Sequence, residues 1–194
     1  MRFILASSSP RRALLLQQIG ISFEVMVPGV SEEVDLGLSA SDVVETLALR
    51  KGHAVAAQDA IVISADTIVY HEGKILGKPK SRLEAQKMLM ALRGKTHEVF
   101  TGLCLNHTST GEILLGHTQT MVTFADFSEH LLHAYLQSEE PYDKAGAYGI
   151  QGQGVAFVEK LDGDYTNVVG LPIPLLVTFL DKLGLTWWST PMQN

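Results

Sequence analysis

The chain has 194 residues, 46% of them hydrophobic and 19% charged, with a formal net charge of −6. This suits one sizeable globular domain with a real core, and it excludes a nucleic-acid binder that works through a broad basic surface. Cys104 is the only cysteine, no stretch approaches the roughly 20 apolar residues of a membrane span, and residues 1–20 lack the order of a signal peptide, so a cytoplasmic protein without an intramolecular disulfide is the expectation.

Phe3-Ile4-Leu5-Ala6 reads as a strand, and a helical pattern covers residues 13–19. Between them lies Ser7-Ser8-Ser9-Pro10-Arg11-Arg12, in which Ser9 suits an N-cap and Pro10 the first helical position. Helix-start N–H groups, three hydroxyls and two guanidiniums together make an anion site, with phosphate the leading candidate. The plain alternative is a capped surface helix with solvated arginines. Gly20 is a natural helix stop, and residues 21–27 read as a strand ended by Pro28 and Gly29. An acidic loop with Glu32, Glu33 and Asp35 follows.

A second helix starts near Ser39 or Ser41, with an apolar stripe of Val44, Leu47, Ala48 and Val55 that also contains Lys51. A lysine in that stripe either snorkels to an edge or is aimed at an anion. Residues 60–64 form the continuous apolar run of a buried central strand, and Asp66 and Thr67 are placed just past its end, where α/β sheets gather ligands. A turn aspartate capping a nearby N–H is the competing reading of Asp66. Glu72-Gly73 between apolar residues 68–70 and 74–76 signals a hairpin. Lys78 sits in a stiff Gly77-Lys78-Pro79 loop, and Ser81 with Glu84 makes a capping box for a helix that turns Leu83, Leu89 and Leu92 inward and stops at Gly94.

Two long strands are expected over residues 96–105 and 113–124, then a helix capped by Ser128 that runs to about residue 137. A Gly-rich loop over 144–152, a strand over 155–159, a turn at Asp162-Gly163-Asp164 and a last helix from Pro172 or Pro174 to Gly184 complete the pattern. The tail, 186–194, is weakly determined and expected to be partly disordered. The sum is an α/β chain read as a single domain over 1–194. Its mixed, twisted β-sheet is flanked by helices, and the pattern allows two lobes with the active-site cleft between them.

Several familiar sites are absent. Gly73 to Pro79 is one residue too short between its glycines for a P-loop, and Pro79 stands where Ser or Thr is required. There is no H-E-x-x-H and no cysteine pair, and His130 with His133 reads as surface. What remains is an anion cradle, lysines and nearby carboxylates (Asp66, with Glu32 and Glu33 as a second source), which suit a phosphoanhydride and a hard cation.

These residues fall into blocks that together resemble the Maf family of nucleoside triphosphate pyrophosphatases. The blocks are Ala6-Ser7-Ser8-Ser9-Pro10-Arg11-Arg12, Glu32, Lys51, Ala65-Asp66-Thr67, Gly77-Lys78-Pro79, Asp143 through Gly152, and Val169-Gly170-Leu171-Pro172. The resemblance implies a Maf/ITPase-like fold and a hydrolase that cuts a nucleoside triphosphate into monophosphate and pyrophosphate. It implies Asp66 as the catalytic residue, acting as base, metal ligand or both. Ser7, Arg12, Lys51 and Lys78 would bind phosphate, and Glu32 with Asp66 would hold a divalent metal, Mg²⁺ or Mn²⁺. Arg11, Thr67 and Gln151 match the base-sensing positions of the branch acting on dTTP and UTP, modified pyrimidine nucleotides included. A homodimer is implied, with neither nucleic acid nor membrane as partner. The alternatives are a 7-methyl-GTP pyrophosphatase, whose branch has a Trp before the arginine pair, and a non-catalytic nucleotide-binding regulator of septum formation. Two positions depart from the family pattern. Ser64 stands where Gly is usual and is a candidate for crowding the turn before Asp66, and Ser31 stands where an acid often precedes the glutamate.

Overall fold

The computed structural model describes residues 2–34 and 37–187, so Asp35 and the tail from 188 onward lie outside the described residues. Strand β1 (Arg2–Leu5) lies between β2 (Phe23–Val25) and β3 (Ala60–His71) and is parallel to both, with Leu5 opposite Val25 and Ile63. Central parallel strands bury both faces and therefore read as continuous apolar runs. Ile4, Leu5, Ile61, Val62 and Ile63 are accordingly fully buried. The seven-stranded sheet has the order β2-β1-β3-β5-β6-β7, where β5 is Thr96–His107, β6 is Glu112–Phe124 and β7 is Val158–Asp162. Strand β4 (Lys74–Leu76) pairs antiparallel with the far end of β3, and β7 pairs antiparallel with β6, so the sheet is mixed as expected. The helices are α1 (Pro10–Gln18), α2 (Ala40–His53), α3 (Arg82–Leu92), α4 (Glu129–Tyr135), α5 (Tyr165–Val169) and α6 (Ile173–Lys182). No helix among the described residues is long and apolar enough to cross a membrane.

The chain divides into two compact units. The first takes the chain up to Asp66, Thr101–Thr118 and everything from Gly170, and the second takes Thr67–Phe100 and Gln119–Val169. In the first unit, α2 starts where Ser39 accepts the Asp42 N–H at 3.2 Å, a cap the sequence announces. It buries Val43, Val44, Leu47 and Ala48. Its backbone runs so close to β5 that a Cβ on Gly102 would sit 2.2 Å from the Val44 carbonyl oxygen.

The second unit is built around Phe124. Its ring lies 4.7 Å from Tyr148 and 5.8 Å from Phe157, with Leu89, Leu92 and Leu132 closing the cluster. His97 is buried there, its Nε2 2.7 Å from the Tyr148 hydroxyl. Burial, and secondarily the charge of His71, push the imidazole down to about 3, so it is neutral in the fold. The expected hairpin forms with a two-residue turn, Glu72 and Gly73 at φ 47° and 80°.

Two expectations about these elements are corrected. Leu83 is 60% exposed, because α3 buries the Ala85, Leu89 and Leu92 stripe and Leu83 falls outside it. Strand β7 begins at Val158, not residue 155, since Gln153–Phe157 winds into a 3₁₀ turn that draws Phe157 into the aromatic cluster. The short helix α5 has no counterpart in the sequence reading.

Candidate active site

The loop after β1 is held on both sides by main chain: Ala6 N donates to Ile63 O at 2.8 Å, and Met26 N to Leu5 O at 3.1 Å. Ser7, 7% exposed, accepts the Ser9 N–H and the Arg12 Nη1–H, each at 3.1 Å. Ser9 does occupy the N-cap of α1 with Pro10 behind it, but its side chain makes no cap bond. The Ser7 hydroxyl takes the Ser9 N–H instead, a turn closed two residues back. Arg12 also donates from Nε to Gly170 O at 2.7 Å. Gly170 has φ +122°, which a side chain rarely tolerates, so the carbonyl that anchors Arg12 depends on glycine. Burial lowers the Arg12 pKa, the charge of Asp66 opposes that, Arg11 adds to it and Glu32 opposes it, which puts both carboxylates within electrostatic reach of the guanidinium. Arg11 is half-buried in the first turn of the same helix.

Lys51, in the last turn of α2, turns its amine onto two carboxylates. Its Nζ donates to Glu32 Oε1 at 2.8 Å and to Asp66 Oδ1. The side chains of Lys51 and Asp66 are 12% and 11% exposed, and that of Glu32 is 60% exposed. Arg50, beside it, was not singled out by sequence. Its Nη1 donates to the carbonyls of Ser31 and Glu33, both at 2.7 Å, and so fixes the main chain on either side of Glu32. Ser31, where the family often has an acid, accepts the Glu33 N–H at 3.1 Å.

Asp66 is not past a strand end. It lies inside β3, which continues to His71 because β4 extends the pairing to Val69, Tyr70 and His71. A carboxylate at a buried strand position is tolerable because Lys51 meets it. Ser64 crowds no turn either. Its hydroxyl donates to Ala48 O at 2.7 Å, tying β3 to α2, and Gly52 leaves it room: a Cβ there would sit 2.8 Å from Ser64 Oγ and 3.3 Å from Cys104 Sγ. Cys104 is fully buried, and burial pushes its thiol up to about 11.

The first unit therefore gathers Ser7, Arg12, Glu32, Lys51 and Asp66, with Arg11 alongside. Thr67, Lys78 and Gln151 belong to the second unit. Thr67 is half-buried, directly after Asp66 in β3. Lys78 is exposed between Gly77 and the buried Pro79, and Gly77 O accepts the Gly146 N–H at 3.1 Å, which stiffens that loop. Gln151 is exposed on the Gly-rich loop. His130 and His133 are exposed on α4, as expected of surface residues.

Comparison with known proteins finds relatives along nearly the whole chain. The chain is 46% identical over 183 residues to a protein named dTTP/UTP pyrophosphatase from Pelotomaculum thermopropionicum, covering 93% of this chain and 96% of the relative. It is 47% identical over 186 residues to a protein of the same name from Bacillus anthracis, covering 95% and 96%. The solved structure of the Staphylococcus aureus Ham1 protein superposes with a TM-score of 0.52 at 17% identity, covering 94% of this chain and all of that one, and shares the fold. A family model described as Maf-like protein matches residues 2–183, and the chain belongs to that family.

Proposed function

We propose that this protein hydrolyses dTTP and UTP to the nucleoside monophosphate and pyrophosphate. One observation carries the reading: a buried aspartate, Asp66, is paired to Lys51 in the same unit as an arginine locked beside a hydroxyl-bearing helix start. A buried carboxylate among the cations supplies what hydrolysis adds to binding, a proton acceptor for water or a ligand for a metal that acidifies it. The relatives named dTTP/UTP pyrophosphatase support the choice of nucleotide.

In this reading Ser7, Arg12, Lys51 and Lys78 bind the triphosphate, Arg12 being the most rigidly placed because its Nε and Nη1 are already committed to Gly170 and Ser7. Phosphate oxygens that compete for Lys51 release Asp66 to accept a proton from water. The water oxygen bonds to phosphorus, the bridging P–O bond breaks, and the cations stabilise the charge on the departing pyrophosphate. Glu32 and Asp66 both reach one nitrogen, Lys51 Nζ, so their oxygens suit a hard cation such as Mg²⁺ or Mn²⁺ whose other ligands are water and phosphate oxygens. Such an ion would supply an acidified water and further neutralise the phosphates. Arg11, Thr67 and Gln151 sense the base; the Gln151 amide offers a donor and an acceptor, as a uracil or thymine edge requires. The exposed apolar Val25, Met26 and Val27 at the sheet edge support a homodimer, measurable as solution mass.

The test compares dTTP, UTP and 7-methyl-GTP on one purified sample, with Asp66→Asn beside the wild type. Turnover of the pyrimidine nucleotides should dominate and fall by roughly 10²–10⁴-fold in the variant. Preferred cleavage of 7-methyl-GTP, or pyrophosphate release unaffected by Asp66→Asn, overturns the proposal.

A further inference from the structure

Glu140, which takes no part in the site described so far, is half-buried at the start of the 3₁₀ turn Glu140–Asp143. Its carboxylate is used completely by main chain and one phenol. Oε2 accepts the Gln153 N–H at 2.7 Å, and Oε1 accepts the Gly154 N–H at 3.0 Å and the Tyr135 hydroxyl at 3.2 Å. Two consecutive backbone N–H groups that converge on one anion form a nest, here filled by the protein's own carboxylate. Burial and the Glu140 charge both raise the Tyr135 pKa, which keeps its hydroxyl a donor. The other end of the residue is fastened too: Lys144 Nζ donates to Glu140 O at 2.9 Å.

The chain from Gly149 to Gly154 is wrapped around this carboxylate, and its glycines are required for room. A Cβ on Gly152 would lie 2.3 Å from Glu140 Oε2. One on Gly149 would lie 2.7 Å from Lys144 Cε and 3.1 Å from Glu140 Oε1, and one on Gly154 would lie 2.8 Å from the Gly149 backbone. The loop closes on itself through Gly152 N to Gly149 O at 3.3 Å. Gln151 stands exposed on this loop, directly after the buried Ile150.

From this geometry we infer that Glu140 is a positioning residue for base recognition: its carboxylate, through the Gln153 and Gly154 amides, sets the place of Gln151. The inference rests on the reading of Gln151 as a base-sensing residue given above. Glu140 touches no substrate, so its loss acts through the loop. Glu140→Gln keeps the shape but presents an NH₂ group where a backbone N–H needs an acceptor, whereas Glu140→Asp keeps the charge on a shorter stem.

The experiment uses the full chain as wild type, Glu140→Gln, Glu140→Asp and Gln151→Ala. It reads amide hydrogen exchange over residues 149–154 and steady-state kinetics on UTP and CTP, which differ at the base edge. In Glu140→Gln, exchange at Gln153 and Gly154 should quicken, and KM for UTP should rise about tenfold or more, as loss of hydrogen bonds to a charged group implies. The UTP preference over CTP should shrink while kcat stays within about threefold, the pattern of lost binding rather than lost chemistry. Glu140→Asp should lie between wild type and Glu140→Gln, and it keeps the test decisive if the Gln variant does not fold. Preference lost in both Glu140→Gln and Gln151→Ala supports the assignment. Preference lost in Gln151→Ala but kept in the Glu140 variants overturns it and leaves the base-sensing role of Gln151 standing. Preference kept in Gln151→Ala overturns that role, and the function given to Glu140 falls with it even if the loop exchanges faster.

Discussion

Replacing Lys51 with methionine removes the cation from between two carboxylates while keeping most of the side-chain volume. The consequences differ at its two partners. Glu32 is 60% exposed, so water takes over there, and an exposed pair is worth about 0–1 kcal/mol. Asp66 is 11% exposed and is left as a buried carboxylate without its cation. Stripping one member from a buried pair costs about 3–5 kcal/mol, and the residual exposure of both partners places this site near the low end, at about 3 kcal/mol. Asp66→Asn is the milder change, because Lys51 keeps Glu32, and it should cost about 1–2 kcal/mol. The double variant buries no unpaired charge, so its cost should fall short of the sum of the single costs by about 1–2 kcal/mol. Urea unfolding followed by circular dichroism measures all three changes, provided the m-values stay equal. Additive costs, or a Lys51→Met variant no less stable than Asp66→Asn, would refute the view that Asp66 is tolerated in its strand because of Lys51.

The two arginines of the first loop should separate by kinetics. Arg12→Ala removes a guanidinium fixed by Gly170 and Ser7 and should weaken every triphosphate alike, by about 1.5–3 kcal/mol of binding, whereas Arg11→Ala should change the ranking among bases; equal effects of both on all nucleotides refute that division. His97 makes stability depend on pH. It is neutral in the fold, with a pKa near 3, and becomes protonated in the unfolded chain below about 6.5, so its contribution is complete above that value and is lost as pH falls toward 3. Between about pH 7.5 and pH 5 the wild type should lose about 2 kcal/mol more than His97→Gln in urea melts, and parallel losses would remove His97 as the cause.

Local signals in the sequence are legible because each rests on neighbours. The Glu72-Gly73 turn needs two residues at positive φ, and the caps at Ser39, Ser81 and Ser128 need only a hydroxyl three residues before an N–H. The candidate residues Ser7, Arg12, Lys51 and Asp66 stand out in the sequence as charges or hydroxyls at a helix start, in an apolar stripe and beside an apolar run. What stayed hidden depends on distant partners. The hairpin signal marks a strand at 68–70, but nothing at residues 65–67 says that it continues the run at 60–64 without a break. The contacts of Arg50, Gly170 and Glu140 run to or from main-chain groups between 13 and 158 positions away, and a backbone carbonyl or amide leaves no mark in the residue alphabet. Leu83 misled because leucine is a good helix former wherever it points.

The one thiol of the chain has a practical consequence. Cys104 is packed against Gly52 and Ser64, is fully buried, and holds its proton up to about 11, so at neutral pH it offers very little thiolate to oxidants or alkylating reagents. A cysteine introduced at an exposed position, such as 14 in the first unit or 83 in the second, would then be the sole reactive handle on the molecule. Fluorescent or spin labels could be attached there, and nucleotide binding followed from either unit in turn, with the native sulfur left in place.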